Sequence, residues 1–185
     1  MKTKDIILIA MFAALIAVGS YIRIPFPMCP KTLHVLFTTL AGVLLGSRKG
    51  AMSVIVFILL GLAGLPVFTG GGGISYVVQP TFGYMVGFIV GTFVTGTIVH
   101  SGKPTMQRLL VGCLSGMLII YAIGMAYYWF ISYFWLDKPI GIVPLFIYCF
   151  LILVPGDICF CILAAMLGKR LIPVLKLDQY KKKTA

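Results

Sequence analysis

The sequence predicts an all-α fold, a polytopic membrane bundle of six transmembrane helices. Three observations predict it. Only 10% of the 185 residues are charged, whereas 61% are hydrophobic, and the mean hydropathy is +1.09; soluble domains carry roughly 25% charged residues. The apolar residues fall in long continuous runs, unlike the alternation over about ten residues that marks barrel strands. The basic residues sort to one side of those runs, as shown below.

The first run extends from about Asp5 to Tyr21, the second from about Thr32 to Leu45 and the third from about Ala51 to Leu65. The fourth extends from about Thr81 to His100, the fifth from about Thr105 to Phe130 and the sixth from about Ile142 to Leu167. A straight span needs about 20 residues, so the second and third are short and either borrow loop residues or cross incompletely. Lys2 and Lys4 ahead of an apolar run also fit the start of a signal peptide; the segment is read as retained and as the first span. Residues 1–185 are expected to form a single integral membrane domain.

With six spans and both termini inside, the inner face holds Lys2, Lys4, Arg48, Lys49, Lys103, Arg108, Lys169, Arg170, Lys176, Lys181, Lys182 and Lys183. The outer face holds Arg23, Lys31 and Lys138. That is the positive-inside pattern. It accounts for the net charge of +11 through topology and attraction to anionic lipid headgroups, without nucleic acid as a partner. The inner loops, Gly46–Gly50 and Ser101–Pro104, are short and basic. The outer loops are longer and carry little charge: RIPFPMCPK at 23–31, the stretch from Pro66 to Pro80 with its run Gly70-Gly71-Gly72-Gly73, and SYFWLDKPIG at 132–141. Irregular, Pro-stiffened loops gathered on one side predict a ligand pocket that opens outward.

Small residues recur at four-residue spacing, which lets helix backbones approach closely. Gly83, Gly87 and Gly91 do so in the fourth run and are expected to pack internally. In the first run Ala10/Ala14 and Ala13/Ala17 fit either internal packing or a docking face for another membrane protein.

Asp157, in LVPGDICF, is the most informative polar residue. Twelve residues from Lys169, it sits about 18 Å from the inner basic cluster at 1.5 Å per residue, beyond the middle of a core about 30 Å thick. A charge at that depth costs about 2.5–3.5 kcal/mol on insertion scales, so Asp157 must face protein or water. It is read as a ligand hydrogen-bond acceptor, with a structural pairing to a backbone group or a Tyr hydroxyl as the alternative. Pro155 beside it frees a helix carbonyl. Gln79, Thr81 and Tyr84 offer uncharged donors and acceptors at the outer end of the fourth run. Tyr121, Tyr127, Tyr128 and Trp129 in the fifth suit a pocket wall or ordinary packing.

Other chemistries find little support. G-x-x-x-x-G-K-[ST] and G-x-G-x-x-G are absent, and an intramembrane hydrolase built on Ser75 with His34 or His100 lacks G-x-S-x-G. Two distant histidines and five cysteines without paired spacing point to no metal site and no disulfide framework. No cofactor or catalytic residue is expected.

The stretches RIPFPMCPKTL, LAGVLLGSRKGAMSVIVFILLGLAGLPVFTGGGG, PTFGYMVGF and PGD give the chain a resemblance to the BioY family, the biotin-binding S components of energy-coupling factor (ECF) transporters. It covers about Ala10 to Arg170. The resemblance implies a six-helix bundle with a vitamin pocket capped by outer loops. It also implies a multi-pass protein of a bacterial or archaeal plasma membrane. Its implied partners are biotin, a transmembrane coupling (T) component and two ATP-binding cassette subunits. The family's Ala-rich first helix docks the coupling component, which corresponds to Ala10, Ala13, Ala14 and Ala17. Within this frame Asp157, Gln79, Tyr84 and Thr81 are candidate polar contacts to biotin, Gly72 and Gly73 are expected to lie over it, and Arg23, Lys31 or His34 to reach its carboxylate. Three positions depart from the family pattern: His34 for a Gln, Phe82 for a Gly, and Phe160 for a Lys three residues after the Asp. They keep a biotin precursor or another small carboxylated vitamin open as the ligand.

Overall fold

The computed structural model describes residues 3–24, 31–134 and 141–174. Seven α-helices account for most of them: α1 (Thr3–Tyr21), α2 (His34–Leu45), α3 (Ser47–Leu62), α4 (Phe82–Val99), α5 (Met106–Phe134), α6 (Ile142–Phe146) and α7 (Val154–Val174). A two-residue antiparallel pairing, β1 (Arg23–Ile24) with β2 (Lys31–Thr32), joins the ends of the first outer loop.

Among the described residues, four stretches are long and apolar enough to cross a membrane: Thr3–Tyr21, Phe82–Val99, Met106–Phe134 and Val143–Pro173. Their outward side chains, among them Ile7, Met11, Phe93, Leu118 and Met166, are apolar and exposed, which suits contact with lipid. At 12 and 16 residues, α2 and α3 are shorter.

Several boundaries differ from the sequence expectation, α5 reaching Phe134 and α7 Val174 among them. The inner loop Gly46–Gly50 is a single-residue connection. Gly46 adopts φ 82°, a conformation that costs Gly nothing, and the Gly50 N–H closes onto the Gly46 carbonyl at 2.9 Å, so Ser47 to Gly50 already belong to α3. The sixth run is not one regular helix. It breaks into α6, a π-helical turn over Ile147–Leu151 and then α7, which begins just before Pro155. Pro155 therefore lies in a first turn, where a missing N–H is least costly.

The bundle is organised around α2. All of its residues except Phe37 are buried, and it packs against α1, α3, α4 and α7. Beside it, α4 and α5 meet along a glycine seam. A Cβ on Gly87 would stand 2.9 Å from the Ile120 carbonyl oxygen, and one on Gly91 2.8 Å from that of Gly116. The four-residue glycine spacing thus serves internal packing. The Lys49 ammonium lies 2.6 Å from Asp5 Oδ1 and ties the first turn of α1 to that of α3.

Gly91→Val forces backbone apart from backbone, and overpacking of this kind costs about 1–3 kcal/mol. The variant should lose thermal stability in detergent, while Val111→Ala, on the exposed face of α5, should not.

Candidate ligand-binding site

Between α2, α4, α5 and α7 lies a cavity with about 550 Å³ of empty space, part of it open to solvent. One wall is apolar, formed by Val35, Met85, Phe88, Ile120 and Leu153. Polar groups converge from three directions, the mixture expected of a small-molecule site.

The first is Asp157 on α7, 2% exposed. The Tyr121 hydroxyl donates to its Oδ2. Burial of a carboxylate is tolerable only with such hydrogen bonds, so the pairing to a Tyr hydroxyl and the place on the cavity wall belong to one residue. Tyr121 itself lines the cavity and meets Tyr84 edge-on, with ring centroids 6.1 Å apart and planes at 87°. The apolar stripe Leu109, Cys113, Met117, Ile120 at helical spacing buries this face of α5 and carries Tyr121 inward with it.

The second is His34, the first residue of α2, which is 1% exposed. Its Nδ1 lies 2.7 Å from Thr32 Oγ1. Its ring sits between Phe57 and Phe88, with centroids 5.4 and 5.5 Å away.

The third comes from the second outer loop and the residue after it: Thr69, Tyr76 and Thr81 line the mouth, with Tyr76 Oη 3.4 Å from Thr81 Oγ1. Tyr76 is held by the Phe68 ring at 4.6 Å. The loop is fastened at both ends. Tyr21 donates to the Pro66 carbonyl and Tyr127 to the Val77 carbonyl, each at 2.6 Å.

Of the residues singled out from the sequence, Asp157, Tyr84, Thr81, His34 and Tyr121 line the cavity, whereas Tyr127, Tyr128 and Trp129 do not. Nor do Gln79, Gly72 and Gly73. Gln79 is exposed, beside Gly70. Gly71 and Gly73 hold φ 115° and 106°, the region only Gly enters at little cost. A Cβ on Gly72 would fall 2.1 Å from the Leu65 carbonyl oxygen, and the Gly73 N–H donates to the Gly61 carbonyl at 2.8 Å. Gly72 and Gly73, expected to lie over the ligand, instead lie close to the chain's own backbone. The side chains of Arg23 and Lys31 lie outside the described residues. Ser75 is exposed and off the cavity wall. On α1, Ala10 and Ala14 are exposed and Ala17 is half-buried, but Ala13 is 3% exposed and packs into the core. Ala13 thus faces the core while Ala10 and Ala14 face away from it. Thr32, Thr69 and Tyr76 were not singled out from sequence. Each is an ordinary loop residue until the fold brings it to the mouth.

Comparison with known proteins converges on one family. The BioY family matches residues 1–177. A protein of Lysinibacillus sphaericus named probable biotin transporter BioY is 43% identical over 176 residues, covering 95% of this chain and 90% of its own length. The biotin transporter BioY of Rhizobium etli is 36% identical, covering 91% and 93% respectively. A crystal structure of the S-component for biotin from an ECF-type ABC transporter aligns with a TM-score of 0.77 at 27% identity, over 92% of this chain and 94% of that one. Fold and cavity together define a helical membrane protein of the S-component class. Within that class, the chain belongs to the BioY family.

Tyr121→Phe removes the hydrogen bond to a buried carboxylate, a loss of about 1–3 kcal/mol. It should lower thermal stability measurably in the absence of any ligand. Gly72→Val should disturb the second outer loop, read as faster protease cleavage between Pro66 and Pro80.

Proposed function

We propose that this chain is the biotin-capturing membrane subunit of an ECF-type ABC vitamin uptake transporter. The observation that carries the reading is Asp157, a buried carboxylate held by Tyr121 on the wall of a cavity otherwise fit for an apolar ring and chain. Biotin's ureido N–H groups are donors that match such an acceptor, and its thiophane ring and aliphatic chain match the wall of Val35, Met85, Phe88 and Ile120. Tyr84 and Thr81 add further polar contacts, and the glycine run shapes the loop that covers them. Biotin is cargo in this scheme, and no cofactor is required.

The chain acts as one membrane domain in the plasma membrane, with both termini inside and the cavity opening outward. The basic inner ends of the helices support that orientation. It crosses six times, with α2 and α3 as the short passes and α6 to α7 as the last. Its partners are a transmembrane coupling component and two ATP-binding cassette subunits. The docking stripe is Ala10, Ala14 and Ala17, whose small side chains permit close helix approach.

Biotin is favoured, but Phe160, half-buried against the core, and Phe82, against the Tyr127 ring, support a second reading in which the same pocket takes a biotin precursor or another small carboxylated vitamin. A hydrolase built on Ser75 draws no support from a cavity that excludes it.

Calorimetric titration of biotin into protein purified from biotin-depleted cells should give saturable binding at one site per chain. Asp157→Ala should weaken it by about 10- to 100-fold, as expected for hydrogen bonds to a charged group. Undiminished affinity would remove Asp157 from the site, and stronger binding of a precursor would favour the second reading. Ala10→Trp with Ala14→Trp should reduce co-purification of the coupling component without changing biotin affinity.

A further inference from the structure

We infer that the outer end of α2, together with the Nε2 atom of His34, is the seat of the ligand's carboxylate, and that Thr32 sets the imidazole tautomer this requires. The inference rests on the reading of the cavity as a biotin site and assigns the group that meets the ligand's anionic end.

The helix begins inside the protein. His34 packs against Phe88, six residues past the start of α4 and so about 9 Å along it. The N–H groups of a helix's first turn have no intrahelical acceptor. Here the residue before the helix is Leu33, which makes no side-chain cap, whereas Ser, Thr, Asp or Asn would normally fill that role. His34 and Val35, the first two residues of α2, both line the cavity. Uncapped N–H groups and the positive end of a helix dipole favour an anion.

A second, independent feature points to the same spot. His34 Nε2 is buried and makes no hydrogen bond among the described residues, a costly arrangement unless a ligand completes it. The tautomer follows from its neighbours. A group seated on the helix N–H donors must be an acceptor, so an imidazole that shares it must offer Nε2–H. Nδ1 is then the bare nitrogen and accepts from the Thr32 hydroxyl 2.7 Å away. The Asp157 carboxylate, which would repel a ligand carboxylate, is held on the α5–α7 wall by Tyr121. Thr32 lies on β2, paired with β1, which makes it a positioning residue that links the first outer loop to the site.

The test compares biotin with biotin methyl ester, which differs in the charge at one end. Wild-type protein should prefer biotin by about tenfold or more, the scale of a charge-assisted hydrogen bond. His34→Leu should collapse that preference by weakening biotin binding by a larger factor than it weakens the ester's, and His34→Gln, which restores a donor, should recover part of it. Thr32→Val should reduce the preference and shift the His34 ring nitrogens in 15N NMR away from the Nε2–H pattern. Equal loss for both ligands in His34→Leu, or no loss in either, would overturn the inference and leave the biotin reading standing. No binding of biotin by folded wild-type protein would overturn both. If His34→Leu does not fold, Thr32→Val decides by the same two affinities.

Discussion

The structure depends on a helix that is buried along its whole length. Inside a membrane every backbone polar group must find a partner within the protein or in a water-filled cavity, and the ends of a buried helix are where partners run short. α2 meets this constraint differently at its two ends. At its C-terminal end, the His100 ring donates to the Val43 carbonyl at 3.0 Å, and the Gly46 N–H to that of Gly42 at 3.1 Å. At its N-terminal end no side chain among the described residues caps the helix, and a cavity stands there instead. The helices packed round α2 can close on it because small residues line their contacts: a Cβ on Gly42 would be 2.8 Å from the Thr92 carbonyl oxygen.

What the sequence made legible was governed by cost. A carboxylate in an apolar run is expensive enough to be informative by itself, and Asp157 lies on the cavity wall as its position in the run suggested. Tyr84, Thr81 and His34 were readable because they flank the irregular outer loops. The glycine run signalled a close backbone approach, but a sequence cannot say what is approached, and here the neighbours are Leu65 and Gly61. Tyr76 and Thr69 carried no signal, since their place depends on how the loop folds back through the paired Phe68 and Gly71. Helix ends were legible where charge or Gly marked them and less so in the last run, because a π-helical turn has no distinct composition.

The α1 alanines illustrate the limit of periodicity. A four-residue repeat identifies a face, and two overlapping repeats identify two faces at once. Ala10 and Ala14 look outward while Ala13 is covered by the core, so only the burial of each side chain separates packing from docking.

The hydrogen bond from Tyr121 to Asp157 also orders events in time. The contacts between α4 and α5 are local, joined by a connection of a few residues, and low-contact-order units form readily. α7 is synthesised after the other described helices and packs against α2, more than a hundred residues earlier in the chain, as well as against α5. Asp157 is therefore the final piece of the wall to be delivered, and until it arrives Tyr121 faces an incomplete chamber. The cavity is assembled only once α7 has been made, so a polypeptide cut short before α7 lacks both the carboxylate and the surface that shields α2 from lipid.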